Sequence, residues 1–289
     1  MPRAHTKVDD LVLLTKVRLN ALVVATTAGG YYMAAPPVVD YAALVVTCIG
    51  TALVASGASA FNQVDERDLD RLMTRTRMRP IADGRMSAGE GRAIAAIFAA
   101  AGLLILWFGS TTTAAAVAFA TLLSYVLIYT PLKRRSSLAT VVGAIPGALP
   151  PLIGWSAAGG ALSNAAAWSL FLLMFLWQLP HFLAIAWMYR DDYARANLPM
   201  LPVVDRDGRM TGRQAVVWAA TLIPISELPF LLGLTGPVYA VFALVLGLGL
   251  LALAFRFLMR RRDDDARALF YGSITYLPLL WIVMAIGRR

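Results

Sequence analysis

Nine mostly apolar runs, each close to the roughly 20 residues a helix needs to cross a bilayer core, account for most of this chain. They lie near residues 17–35, 41–61, 93–109, 112–131, 138–157, 166–189, 214–234, 237–257 and 269–287. In lipid, a run of this length satisfies its backbone only as a helix. The pattern therefore predicts an all-α polytopic membrane protein with nine transmembrane helices, forming one integral-membrane domain over residues 1–289. The shorter runs would otherwise be buried helices of a soluble core, but too little polar chain remains to cover them. Composition agrees: 59% of residues are hydrophobic and 15% charged, against about 25% charged in soluble domains. Disorder, a long coiled coil and most soluble enzymes are excluded.

The formal charge of +9 is a matter of topology. Segments 1–18, 62–92, 132–137, 190–213 and 256–267 hold 24 of the 26 Lys and Arg residues; Arg288 and Arg289 are the other two. The positive-inside rule then predicts a cell-membrane protein with a cytoplasmic N-terminus and an external C-terminus. Charge sorted this way is no nucleic-acid footprint. The polar N-terminus is unlike a cleaved signal peptide. The single cysteine, Cys48, excludes an intrachain disulfide and a cysteine metal cluster.

Two cytoplasmic loops, 62–92 and 190–213, are long, and each follows an even-numbered span. That spacing suggests two four-helix units of related plan, without a strong sequence repeat. Where the second span ends, Asn62, Glu66 and Asp70 are spaced i, i+4, i+8. On a continuing helix they share one face, about 6 Å apart along the axis. Three oxygen-bearing side chains in a row suit Mg²⁺ shared with phosphate oxygens. Arg71, Arg75, Arg77 and Arg79 follow, closed by Pro80, and arginine forks match phosphate oxygens. Together the two groups meet the needs of a diphosphate. The bland alternative is a solvated interfacial helix with topology-setting arginines.

Gln178, His181 and the pair Asp191–Asp192 are the polar groups of the sixth span and its end. Polar and ionisable groups within a span usually face a bundle interior, and Pro180 loosens the helix beside His181. A packed core histidine and an ordinary helix end are the bland readings. The sharper one sets Asp191 and Asp192 across from the first motif, with metal and diphosphate between. At the end of the fourth span, Tyr129, Lys133 and Arg134 read blandly as an aromatic-belt residue and positive-inside charges; the sharper reading has Tyr129 lining the cavity and Lys133 or Arg134 adding a phosphate contact. The helix breakers Gly143, Pro146, Gly147, Pro150, Pro151 and Gly154 predict a kinked fifth span with close neighbours. Glu227 is a costly intramembrane carboxyl that receives no role.

Taken in order, TKVRLNALVVATTAGGY, NQVDERDLDRLMTRTRMRP, YTPLKRRS, GALPPLIGW, WQLPHFLAIAWMYRDDY and PMLPVV resemble the UbiA superfamily of intramembrane prenyltransferases, closest to its haem-farnesylating branch. The likeness covers nearly the whole chain. It departs at Glu66 and Gln63, where many relatives carry Asp, and in the second motif, where Asp191–Asp192 with His181 upstream replaces spaced aspartates. The resemblance implies a UbiA-type bundle with a central cavity open to the cytoplasmic side. It implies farnesyl diphosphate and haem B as substrates, Mg²⁺ as cofactor, and a haem A synthase as the partner that takes the product. It makes Asn62, Glu66, Asp70, Asp191 and Asp192 the metal set. Arg71, Arg75, Arg79, Lys133 and Arg134 become diphosphate contacts. Tyr129, Tyr193 and Trp187 serve as cation–π or lining groups, with Gln178 at the substrate. His181 ligates the iron, orients the macrocycle or manages a proton. Two other functions are compatible with parts of the pattern: a related enzyme acting on a quinone precursor or other ring, and a transporter. The WQLPHF and YTPLKRRS motifs argue against the first. The clustering of acids at one membrane face, away from the midplane, argues against the second.

Overall fold

The computed structural model describes residues 6–289; residues 1–5, with the Arg3 counted above, lie outside the described residues. The helices are α1 (Lys7–Thr15), α2 (Val17–Ala34), α3 (Tyr41–Asp65), α4 (Arg67–Leu72), α5 (Ala88–Gly109) and α6 (Thr112–Leu123). A π-helical segment, Ser124–Tyr129, joins α6 to α7 (Thr130–Leu132). Then come α8 (Ala139–Ala148), α9 (Pro150–Ala157), α10 (Ala165–Met188), α11 (Arg190–Arg195) and α12 (Leu201–Val204). The chain closes with α13 (Arg209–Ser226), α14 (Leu228–Leu231), α15 (Pro237–Arg260) and α16 (Asp263–Ile286). Among the described residues the only β pairing is one antiparallel bridge, Thr235 with Arg288.

Among the described residues, eight stretches are long and apolar enough to cross a membrane, and α1 with α2, bent by 46°, makes a ninth when the pair is taken as one span. The nine spans expected from the sequence are therefore present. Their ends follow local chemistry. Asp40 accepts from the Ala43 N–H at 3.0 Å to cap α3. Ser87 and Glu90 form a capping box at α5, and Thr111 caps α6. The fifth span breaks at Leu149 between α8 and α9, where Pro150 begins a new helix, as its helix breakers foretell.

Two spans are central. Two-thirds of the apolar windows of α8–α9 and α10 are buried, against about a quarter in α15. The core gathers on Leu170, Leu173, Trp177 and Leu183 of α10, packed against α13 and α16, on which α15 packs in turn. Small residues permit the closest crossings. A Cβ on Gly154 would lie 1.8 Å from the Thr27 carbonyl oxygen, and one on Gly30 2.0 Å from that of Pro151. So α9 and α2 touch backbone to backbone, where only glycine fits. Outward, Phe108, Val241, Val245 and Ile282 expose most of their apolar surface, the dress of a lipid-facing ring.

Candidate active site

At the basic end of the bundle, Asn62 sits in the last turn of α3 and is buried, as are Glu66 and Asp70 just beyond. Helical geometry lapses at Glu66 (φ −95°, ψ 5°). Yet Glu66 N–H bonds the Asn62 carbonyl at 2.9 Å and Asp70 N–H bonds that of Glu66 at 2.8 Å. The i, i+4, i+8 line thus survives the break.

Each of the three oxygen-bearing groups meets a cation. Lys16 Nζ donates to Asn62 Oδ1 at 2.9 Å. Lys133 Nζ lies 3.1 and 3.0 Å from the two Glu66 oxygens. Arg79 Nη1 reaches both Asp70 oxygens at 2.8 and 2.7 Å. Two carboxylates and one amide therefore face three basic side chains, which stand where an incoming anion would meet them. Burial alone would raise the Glu66 carboxyl, but Lys133, then Lys16 and Arg79, hold it below the usual carboxylate range. Burial alone would lower the Lys133 ammonium, but Glu66 holds it above the usual lysine range.

Lys16 is the residue the sequence analysis passed over. It occupies the bend between α1 and α2 in the left-handed region (φ 49°, ψ 45°), unusual for a side-chain-bearing residue. Asn20 Nδ2 donates to the Thr15 carbonyl at 2.7 Å, and Gln63 Nε2 to those of Leu13 and Leu14 at 2.8 Å each. These bonds satisfy the end of α1 and hold the bend. A lysine directly before a first span was the available signal.

The π-helical segment is a second unforeseen part. Such segments recur at functional sites. Thr130 Oγ1 donates to the Tyr125 carbonyl at 3.0 Å and faces Asn62 Nδ2 at 3.5 Å. Tyr129 stacks obliquely on Tyr125, 5.3 Å between centroids, and covers Gly143, where a Cβ would lie 2.5 Å from its ring.

The second motif meets the first by another route than two facing carboxylates. Asp192 accepts the backbone N–H groups of Thr74 and Arg75 at 3.3 and 3.2 Å, and pairs with Arg195. Against the effect of burial, these donors hold its carboxyl below the usual range. Its oxygens are thus committed to the turn that carries the arginines. Arg75 lies over the Tyr189 ring at 4.8 Å, with its Nη2 3.3 Å from the Tyr193 hydroxyl.

Other predicted residues lie apart. Asp191 is exposed. Arg71 points outward to the Ala82 carbonyl and Asp68. Arg134 bonds the Asp65 carbonyl. Trp187 donates to Asp263 at 3.1 Å and packs edge-on against Phe257. Gln178 and His181 sit deeper on α10: Gln178 donates to the Met174 and Ala144 carbonyls, and His181 faces Ser273 of α16. Two pockets of about 320 Å³ open at the basic end, one lined by Arg67, Arg71 and Ser87, the other by Asp65, Thr130 and Arg134.

Among the described residues no three His, Cys, Asp or Glu side chains converge as a metal shell. The converging set is one amide and two carboxylates, all oxygen donors and all drawing positive charge. This donor chemistry fits Mg²⁺, which completes its shell with phosphate and water oxygens.

The chain is similar to known proteins over nearly its whole length. A protoheme IX farnesyltransferase of Solibacter usitatus is 44% identical over 96% of this chain and 98% of its own length. One from Koribacter versatilis is 42% identical over 99% and 96%. Among solved structures, one from work on digeranylgeranylglyceryl phosphate synthase superposes with a TM-score of 0.80 at 16% identity, covering 97% of this chain and 98% of the other. A UbiA homologue from Archaeoglobus fulgidus bound to GPP and Mg²⁺ gives 0.68 at 16% identity, covering 96% and 99%. The model of the UbiA prenyltransferase family matches residues 22–281. A nine-span bundle with an oxygen-and-cation cluster at its basic end, matched in sequence across almost all its length, makes this chain a member of the UbiA prenyltransferase family.

Proposed function

We propose that the chain, acting as one integral-membrane domain, transfers the farnesyl group of farnesyl diphosphate to a vinyl group of haem B. Water adds in the same reaction, and the product is the hydroxyethylfarnesyl haem, haem O. The observation that carries this is the cluster of Asn62, Glu66 and Asp70, each already matched to a cation. The near-full-length likeness to protoheme IX farnesyltransferases supports the acceptor.

Lys16, Lys133 and Arg79 move from their carboxylate and amide partners to the diphosphate oxygens. Asn62, Glu66 and Asp70 are then free to hold Mg²⁺. Bound there, Mg²⁺ neutralises charge that builds on the leaving diphosphate. The C–O bond breaks with its electron pair on the diphosphate. The vinyl carbon attacks the allylic cation, water adds to the new cation beside the porphyrin ring, and the proton it sheds passes to the released diphosphate. Tyr129 and Tyr193 offer ring faces and Arg75 a further phosphate contact. Asp192 positions the turn that presents Arg75. The apolar bundle keeps early water from the cations. The basic end is assigned to the cytoplasm, the C-terminus to the outside of the cell membrane, and a haem A synthase is the consumer of the product.

The test is the haem species, identified by mass, made from haem B and farnesyl diphosphate by membranes containing the chain. Haem O is expected with Mg²⁺ and none without. Asn62→Ala and Asp70→Ala should abolish it while the protein stays folded. Full activity in both variants would remove the metal site.

A further inference from the structure

His181 lies about 10 Å from the basic end of α10, at 1.5 Å per residue, away from the diphosphate cluster. Its ring is held between two others: Trp177 at 5.1 Å and 22°, and Phe270 of α16 at 5.0 Å and 25°. Trp177 is fixed in turn by its Nε1–H, which donates to the Ser273 carbonyl at 2.7 Å. Both faces of the imidazole are thus covered, and it works only at its edge.

At that edge the proton can be placed. Nδ1 is 2.8 Å from Ser273 Oγ. The Ser273 hydroxyl spends its own proton on the Phe270 carbonyl, 2.6 Å away. It has none left for the ring, so Nδ1 carries the hydrogen and Ser273 accepts it. Nε2 is then the unprotonated nitrogen with an in-plane lone pair. Among the described residues it has no hydrogen-bond partner, and His181 is only partly buried. A histidine whose tautomer is fixed by a bond at one nitrogen while the other stays open has the arrangement found at metal-ligating imidazoles.

The surroundings are aromatic: Trp177, Phe182 and Phe270 all lie within ring contact of His181. Gln178 reaches α8 and His181 reaches α16. Being three residues apart, they share one face of α10, which meets α8 at Ala144 and α16 at Ser273. On the lipid side, α16 meets α2 sparsely. Where they do touch, Gly29 lies against Trp281, and Arg288 over Tyr32, toward the far end from His181.

We propose that His181 Nε2 is an axial ligand to the iron of the haem substrate, with Ser273 holding the ring in the ligating tautomer. This rests on haem B being the acceptor, as proposed above. Iron ligation would lock the macrocycle at a set depth and rotation below the diphosphate cluster.

The test titrates the purified full chain, in lipid nanodiscs, with ferric haem B and separately with iron-free protoporphyrin IX. Soret absorbance and low-temperature EPR are read. The wild type should show an imidazole-ligated haem and bind haem at least 10-fold more tightly than the iron-free ring. His181→Phe keeps the ring stack but should lose both the ligated spectrum and the preference for iron. His181→Ala should regain the ligated spectrum on adding imidazole, and Ser273→Ala should weaken haem binding without touching iron-free porphyrin. An unchanged spectrum in His181→Phe, with haem O still made by the wild type, overturns the ligand assignment alone. A wild type that neither binds haem nor makes haem O overturns the acceptor assignment and this proposal with it.

Discussion

Removing the Lys133 ammonium, as Lys133→Met, should reverse the way acid affects this protein. Lys133 and Glu66 are 3.0 Å apart and the Glu66 side chain is 2% exposed. At that distance and an effective dielectric near 20, the pair attracts by about 5 kcal/mol. Losing one partner of such a pair costs about 3–5 kcal/mol, because a buried charge is left behind. Glu66 has an escape: burial is the largest influence on it and Lys133 the largest opposing one, so without Lys133 its carboxyl rises and takes a proton. In the wild type the folded value is depressed, so the stability Glu66 contributes is present above the ordinary carboxylate range. That stability is lost as pH falls through the folded value. In Lys133→Met the folded value lies above the unfolded one, so acidification from neutrality toward the ordinary range should stabilise the variant. Glu66→Gln with Lys133→Met should cost less than the two single changes added, by about 2 kcal/mol or more. The assay is reversible unfolding in mixed micelles at several pH values, followed by circular dichroism. A Lys133→Met variant that loses stability on acidification as the wild type does, or a strictly additive double variant, would refute the argument.

Three further outcomes follow from the geometry. Lys16→Gly keeps the left-handed bend, which glycine adopts freely, but removes the ammonium at Asn62. Stability should hold while KM for farnesyl diphosphate rises about 10-fold or more, the worth of one charge-assisted hydrogen bond; an unchanged KM would exclude Lys16 from the site. Asp192→Ala strands two backbone N–H groups, a cost of about 1–3 kcal/mol, so trypsin should cut faster at Arg75 and Arg77, the bond after Arg79 being closed to it by Pro80. Asp191→Ala should leave the cleavage rate alone, and equal effects from both would show that Asp192 does not hold the turn. Gly154→Ala puts a methyl 1.8 Å from the Thr27 carbonyl oxygen and should lower the unfolding temperature in detergent by several degrees. Gly249→Ala, with nothing within 4 Å, is the control and should lower it little.

The second motif shows where local inference stops. Asp191 and Asp192 are adjacent and chemically alike, and nothing in their order says which is used. The fold decides: Asp192 turns inward to two backbone N–H groups more than a hundred residues earlier in the chain, and Asp191 turns outward. Lys16 was hidden for the same reason. Its partner, Asn62, is 46 residues away, and only the bend between α1 and α2 aims it there. Tyr129 was legible as an aromatic at the end of a span, but the π-helical segment that carries it leaves no pattern of its own in SYVLIY.

What the sequence determined by itself was the number of spans, their order and the line of Asn62, Glu66 and Asp70. Those depend on run length and on a 3.6-residue period, and both are written in neighbouring residues. Charge sorting and motif order added the basic end and the family. Tertiary structure decided which cation answers which oxygen, which aspartate is spent on holding a turn, and which nitrogen of His181 stays open. Those choices are settled by contacts between distant helices, where a buried charge or polar atom must find a partner from whatever the packing brings near.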